Sequence, residues 1–370
     1  MKILYIANIR LPTEKAHGVQ IMKTCEAFAH LGHEVELVVP DRKTPITEDP
    51  FAYYGVEKNF SIVRVPTSDT VRFGRIGFLF ETWSFTRGAM RYIKEHPAEV
   101  VYGRDEMVLY AAILRRVPGV VWESHTGAWN VFARRIVDRV RAIVVISEGL
   151  QHWYRAKGVS ASKLIVAHDG VDLEAFAHPE PKESARVRLG LPQEGKIALY
   201  IGRVDGWKGV STLCEASNLL SSHVQVVVIG GEEAQVATLR SAYPRVLFLG
   251  YHPYRELADN QAAADVLVLP NTSKSEISAR FTSPLKLFTY MASGVPIVAS
   301  DLPSIREVVS DEMVFFVKPD DAAACAHGIE QALSDGAAAS KAALARSAVV
   351  QYSWDERARG IISSIMPVAN

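Results

Sequence analysis

Hydrophobic and polar positions along the chain form short apolar runs separated by longer amphipathic stretches. This is the pattern of strand-helix-strand units whose parallel strands are covered on both faces. The runs predict strands at Ile3–Ala7, Glu34–Val39, Ile62–Val65, Val100–Tyr102, Val120–Glu123, Ala142–Ile146 and Leu164–Val166. Helices fill the intervals, for example Val19–His30, closed by Gly32 as a carboxyl-terminal cap. After Asp169-Gly170-Val171-Asp172 the chain crosses a charged stretch with Pro179 and Pro181, and a second series begins. Its strands are predicted at Ile197–Ile201, Val224–Ile229, Val246–Leu249, Val266–Leu269, Pro296–Ala299 and Met313–Val317. The Ala-rich run Ala322–Ala348 reads as a strong helix former, not a repeat, and Trp354–Met366 as an amphipathic helix. The expected fold class is α/β with two Rossmann-like, doubly wound domains, 1–172 and 173–353. A chain of 370 residues is too long for one ordinary core.

Composition supports two closed cores, with 48% hydrophobic and 22% charged residues. The 41 basic and 41 acidic residues cancel, which argues against a global attraction to nucleic acid. The halves differ: 23 basic against 18 acidic residues up to Gly170, and 18 against 23 beyond it. Arg72, Arg75, Arg87 and Arg91, and then Arg134, Arg135, Arg139 and Arg141, form clusters that could face an anionic acceptor or a membrane surface. Solvated helix faces are their ordinary reading. Cys25, Cys214 and Cys325 are few, odd in number and far apart, which suits a reducing compartment. Ile3–Ala7 is too short for a signal sequence and reads as a first buried strand. No run approaches a membrane span, so any membrane contact would be peripheral. The segment Phe73–Trp83, with Phe78, Leu79, Phe80 and Trp83, could touch lipid, but a packed helix or loop is expected.

In open parallel sheets ligands bind beyond the carboxyl ends of the strands, where helix amino termini present free amides. Two such edges facing each other would form an anion-accepting cleft. The loop after the first strand carries His17-Gly18; its glycine serves either a close approach to phosphate or an ordinary turn, and there is no G-x-G-x-x-G fingerprint. The second domain opens with Gly202-Arg203-Val204-Asp205-Gly206-Trp207-Lys208-Gly209. An Arg fork and a Lys point charge at a glycine-flanked strand-to-helix turn can grip a diphosphate from two sides. In the stretch from Arg280 to Gly294, Ser283 reads as an N-cap, Pro284 as the first helical residue and Gly294 as the exit. Lys286 lies in the first turn, where a cation opposes the helix dipole; a nearby polyanion or a salt bridge to a carboxylate would each account for it. Glu123-Ser124-His125 follows a strand, and the histidine either meets a sugar hydroxyl or is a packed polar residue. Paired carboxylates are not apparent at a strand end, Asp105-Glu106 being the nearest candidate, and no cluster has metal-ligand spacing. No metal and no other cofactor is expected.

Together these motifs resemble glycosyltransferase family 4, the retaining transferases of the GT-B fold. The resemblance rests on His17-Gly18-Val19-Gln20, Leu31-Gly32-His33-Glu34-Val35, Glu123-Ser124-His125, His168-Asp169-Gly170-Val171-Asp172, the Arg203/Lys208 pair, and Ser283 to Ala292 leading to Pro296-Ile297-Val298-Ala299-Ser300, in the family's order. It implies a nucleoside-diphosphate sugar donor bound between the domains, with Gly18 near the donor phosphates, His125 at the sugar, and Gly202, Arg203 and Lys208 at the diphosphate. It places Tyr251 by the nucleobase, offers the helix start at Ser283, Leu285 and Lys286 to the phosphates, and makes the helix over 354–370 cross back to the first domain. The family's paired glutamates are here Phe281 and Thr289; Thr289 is left to bind the ribose, with Glu276 a candidate substitute for the first carboxylate.

The implied activity is retaining transfer of a hexosyl-type sugar to a hydroxyl acceptor, in the cytoplasm or peripherally at the inner face of the membrane. His125, Arg203 and Lys208 are the expected catalytic residues. A nucleotide-sugar epimerase of the same architecture and a non-catalytic nucleotide-sugar binding protein are the alternatives.

Overall fold

A computed structural model describes residues 1–366 and divides the chain into two compact units, Met1–His168 with the chain from Trp354 onward, and Asp169–Ser353. In the first unit the strands are β1 (Lys2–Ile6), β2 (Glu34–Asp41), β3 (Ser61–Pro66), β4 (Val100–Gly103), β5 (Val120–Ser124), β6 (Ala142–Val145) and β7 (Leu164–Val166). They form one parallel sheet in the order β3-β2-β1-β4-β5-β6-β7. Tyr5 at the centre lies opposite Leu37 on one side and Tyr102 on the other, and all three are fully buried. The central strands read as continuous apolar runs because helices cover both of their faces.

The Ala16–His30 helix packs against the closing helix, Trp354–Ile365, and buries residues 18–28 almost completely. Polar groups drawn into that packing are paired: Lys23 Nζ donates to Glu26 at 2.9 Å and to the Gly55 carbonyl at 2.8 Å. The helix ends as the sequence predicts, with Gly32 at φ 79° and the His33 amide returning to Phe28 O.

The second unit contains β8 (Lys196–Ile201), β9 (Val224–Ile229), β10 (Val246–Gly250), β11 (Val266–Leu269), β12 (Ile297–Ser300) and β13 (Phe315–Val317), all parallel in the order β10-β9-β8-β11-β12-β13. Alternation along β8 serves two apolar layers. Ile197 and Leu199 join Leu267, Phe288 and Met291 on one face, while Ala198 and Tyr200 join Leu213, Val266 and Ile329 on the other. In both sheets the order reverses beside the first strand of the unit, at β1/β4 and at β8/β11. This is where an open α/β sheet leaves a crevice for a ligand.

Every predicted strand is present to within two residues at each end. The unit division falls after His168, ahead of the predicted Asp172, because the Asp169 amide donates to Ser283 Oγ and Val171 bridges Ser353, both within the second unit. The Ala-rich run is two helices, Ala322–Ser334 and Ala338–Ala348, parted around Asp335-Gly336. The last predicted helical residues, 367–370, lie outside the described part of the chain.

Candidate functional site

Each unit gathers polar side chains at its sheet reversal. In the first unit a cavity of about 330 Å³ is lined by Asn8 after β1, Arg104 and Asp105 after β4, and Glu123, Ser124 and His125 at the end of β5. Glu123 is fully buried and is the hub. Its Oε1 accepts from His125 Nε2 at 2.6 Å, from Arg357 Nη2 at 3.0 Å and from Gln20 Nε2, and its Oε2 accepts from the Tyr102 hydroxyl. Arg104 Nη1 closes the ring by donating to Gln20 Oε1 at 2.7 Å. Burial alone would raise the Glu123 pKa, but Arg357 and His125 hold the carboxyl well below its ordinary range. Burial, with the Arg104 charge next, pushes the His125 imidazole down to about 4 against the pull of Glu123. His125 is therefore neutral at pH 7, and the short contact assigns its proton to Nε2, leaving Nδ1 as an acceptor.

In the second unit the turn after β8 is built on glycine. Gly202 has φ 148°, and a Cβ there would stand 2.8 Å from Lys286 Nζ; Gly209 has φ 70°, and a Cβ there would meet the Pro270 carbonyl at 1.8 Å. The turn brings three cations together. Arg203 is well exposed and pairs with Asp205 at 3.2 Å. Lys208 Nζ lies 3.5 Å from the centroid of the Trp207 ring, and Lys286 Nζ lies 4.1 Å over the Tyr200 ring while donating to its hydroxyl at 2.7 Å. Among the described residues no carboxylate lies within salt-bridge distance of Lys208 or Lys286. Burial pushes the Lys208 amine down to about 8; burial and then the Lys208 charge hold Lys286 well below the usual lysine range. An anion seated here would relieve both depressions.

The structure thus brings Gly202, Arg203, Lys208 and Lys286 to one place, with Leu285 opening the Leu285–Ser293 helix beside them. The salt-bridge reading of Lys286 gives way to its contact with Tyr200. Ser283 is not the helix cap: Pro284 occupies that position, and the Ser283 hydroxyl accepts the Asp169 amide at 2.8 Å. Thr289 is 2% exposed, accepts from Gln261 Nε2 at 3.1 Å and donates to its own helix at the Lys286 carbonyl, so its hydroxyl is engaged inside the unit. Phe281 is buried at the end of the Ile277–Phe281 turn, and Glu276 is exposed just before it. Tyr251 stands half exposed after β10. Gly18 belongs to the first turn of the Ala16–His30 helix, not to the loop; a Cβ there would fall 2.2 Å from the Tyr54 hydroxyl, which is reason enough for the glycine. Asp105 spends its carboxylate capping the helix that starts at Glu106, accepting the Val108 amide at 3.0 Å.

Sequence reasoning missed Gln20, Arg104 and Arg357 around Glu123, and Tyr200 and Asp205 around the lysines. Their types alone carry no signal, since Arg357 stands 234 residues from its carboxylate. It also missed Asn271, after β11, whose fully buried amide has neither atom hydrogen-bonded.

Residues 195–335 match the family model described as glycosyl transferases group 1, and residues 17–175 the model described as glycosyltransferase family 4. The chain is 32% identical over 224 residues to a D-inositol 3-phosphate glycosyltransferase of Xylanimonas cellulosilytica, a match that covers 56% of this chain and 52% of that protein. The chain spans about half the length of the curated relatives it matches. In fold it is similar to sucrose-phosphate synthase from Thermosynechococcus elongatus, with TM-score 0.79 and 20% identity over 98% of this chain and 97% of that one. It is also similar to Anabaena HepE, solved with UDP-glucose, with TM-score 0.76 and 16% identity over 98% and 100%.

Proposed function

Because the chain belongs to glycosyltransferase family 4, with the two Rossmann-like units of the GT-B fold, we propose that it moves a glycosyl group from a nucleoside-diphosphate sugar to a hydroxyl acceptor with retention of configuration. The observation that carries the reading is the trio Arg203, Lys208 and Lys286, whose two amines have no carboxylate partner among the described residues and share a site at the β8/β11 reversal. A diphosphate supplies the missing negative charge. That UDP-glucose was bound in HepE supports a nucleotide sugar as donor.

In the reaction proposed, the acceptor oxygen forms its bond to the anomeric carbon on the face from which the diphosphate leaves. The bond from that carbon to the phosphate oxygen breaks with its electron pair going to the phosphate, and the acceptor proton passes to a phosphate oxygen. Arg203, Lys208 and Lys286 stabilise the growing charge on the leaving group, the part otherwise given to a metal ion. Neutral His125, its Nε2–H fixed on Glu123, offers Nδ1 to a sugar hydroxyl. No step needs a metal, and turnover in EDTA is expected to match turnover without it.

The test is a panel of labelled nucleotide sugars incubated with the full chain and with the R203A/K208A variant. Transfer or donor hydrolysis by the former and loss in the latter is the expected result. Equal rates would sink the assignment. Release of the 2-epimer would favour an epimerase, and donor binding with neither reaction would favour a binding protein.

A further inference from the structure

Among the described residues, six of the fifteen exposed large hydrophobic side chains fall within eleven positions: Phe73, Ile76, Phe78, Leu79, Phe80 and Trp83. They belong to the turn Val71–Phe73 and the first half of the Gly74–Glu95 helix, where the sequence led us to expect ordinary packing. Ile76 is 82% exposed and Leu79 62%. The opposite face of the helix, through Phe85, Ala89 and Ile93, is buried in the first unit. The exposed face is therefore not a helix out of place; it is the outer side of a helix that is already docked.

Spacing orders that outer side. Ile76, Phe80 and Trp83 recur at three and four residues, and Arg87, Arg91 and Lys94 continue the same stripe, so one face is apolar first and cationic afterwards. Arg72 lies against the Phe73 ring at 4.8 Å, adding charge at the start. The one carboxylate within the apolar half, Glu81, is buried and takes hydrogen bonds from Asn8 and Thr82. Beside Trp83 opens a groove of about 680 Å³ whose lining includes three cations, Arg64, Arg87 and Arg91, the hydroxyls of Ser68 and Ser84, and one carboxylate, Glu95, at its far end. Among the described residues Arg87 and Arg91 make no hydrogen bond or ion pair.

We propose that this helix is a docking surface for a bilayer containing anionic phospholipid. Its bulky side chains enter the boundary of the acyl chains, and the Arg87/Arg91 groove receives headgroup phosphate. Charge complementarity selects this occupant. The cations continue the apolar ridge along the same face, so the first half of the helix enters the boundary while the second half stays at the level of the headgroups, and no exposed acidic side chain interrupts the stripe before Glu95. The surface is independent of the transfer reading, because lipid binding is measured without donor or acceptor.

The experiment is co-sedimentation of the full chain with vesicles of phosphatidylcholine alone and of phosphatidylcholine mixed with phosphatidylglycerol. Partitioning to the anionic vesicles is expected to be at least about tenfold stronger and to weaken as salt rises. The variant I76S/L79S/F80S/W83S is expected to lose binding to both kinds of vesicle. R87Q/R91Q should keep the weak neutral binding and lose the anionic preference, with the thermal transition and circular dichroism of both variants unchanged. Brominated acyl chains should quench fluorescence in the native chain and not in W83F. The proposal is overturned if the native chain does not sediment with anionic vesicles, or if all variants sediment equally. It is also overturned if the face instead supports a concentration-dependent dimer that the quadruple variant abolishes while vesicles are ignored.

Discussion

The two polar clusters are built from similar side chains and differ in how their charges are settled. Around Glu123 the carboxylate, Arg357, Arg104 and a neutral His125 satisfy one another, and Arg357 and Glu123 are nearly inaccessible. Around Lys208 two amines and Arg203 have near them Asp205, which already pairs with Arg203, and the weaker, more distant charge of Asp169. A buried network that is internally complete fixes geometry; a set of cations short of counter-charge is a binding site in search of an anion. Under the proposed function, the first cluster would position the uncharged His125 and the second would meet charge developing on a leaving phosphate.

The largest effect should come from emptying the second cluster. R203A/K208A is expected to lower turnover by about a thousandfold or more, since a single donor to developing charge is commonly worth about 10²–10³. Its thermal stability should hardly move, because Arg203 is well exposed in its pair with Asp205 and Lys208 is a desolvated amine with no carboxylate among the described residues in salt-bridge distance to lose. A stability loss with turnover intact would exchange the roles of the clusters.

The reverse signature is expected from Arg357→Met. It removes the cation 3.0 Å from a fully buried carboxylate, and breaking such a pair costs about 3–5 kcal/mol in unfolding free energy. Arg357 also helps to keep His125 depressed, so an NMR titration should find the His125 midpoint raised from about 4. Both effects should shrink when Glu123→Gln is added. If the double variant is no more stable than the single one, the network is not organised around Glu123.

The same contrast appears in what could be read beforehand. Strand positions were legible because apolar runs covered on both faces leave an unambiguous local mark, and the reversal points follow from strand order alone. That Arg203 and Lys208 lie close together was legible because the Gly202 to Gly209 turn holds both within eight residues. The Glu123 network was not, since its members come from the first helix, two strand ends and the closing helix, and only the fold brings them together. Local reading also assigned Ser283 to its own helix when its partner is Asp169, a hundred and fourteen residues away. The exposure of Phe80 and Trp83 was hidden for a related reason: a helix with apolar side chains on most of its turn gives no sign of which face the domain will leave uncovered.

A smaller effect separates the clusters by pH. Lys208 titrates near 8 in the free protein, and a bound diphosphate should raise that value, so affinity is fully present below the free value and falls as pH rises through it. Binding of nucleoside diphosphate, followed by calorimetry, should weaken roughly tenfold between pH 7 and 9.5. Lys208→Arg should remove the Lys208 share of the profile, since a guanidinium keeps its charge there, and leave only what the depressed Lys286 amine contributes. The His125 cluster has no group that titrates in the same range and should contribute no slope. An unchanged slope in the arginine variant would move the effect to another group.

The smallest expected effect concerns Thr289, where the resemblance placed ribose binding and the structure places a buried hydroxyl. Thr289→Val keeps the shape and removes one acceptor from Gln261 and one donor to the Lys286 carbonyl. Leaving the Gln261 amide unpaired should cost about 1–2 kcal/mol of stability. Nucleotide affinity should change by less than about twofold, because the hydroxyl faces the interior of the unit and a factor of two is only about 0.4 kcal/mol. Thr289→Glu is the sharper comparison: it restores the carboxylate that the resemblance calls for, but at a site 2% exposed whose hydrogen-bond partners are the Gln261 amide and a backbone carbonyl, so it should destabilise more than valine does. A tenfold loss of nucleotide affinity in Thr289→Val at unchanged stability would show that the hydroxyl leaves the core to meet the ligand. The second unit's site would then extend past the cations into the helix that closes around Thr289.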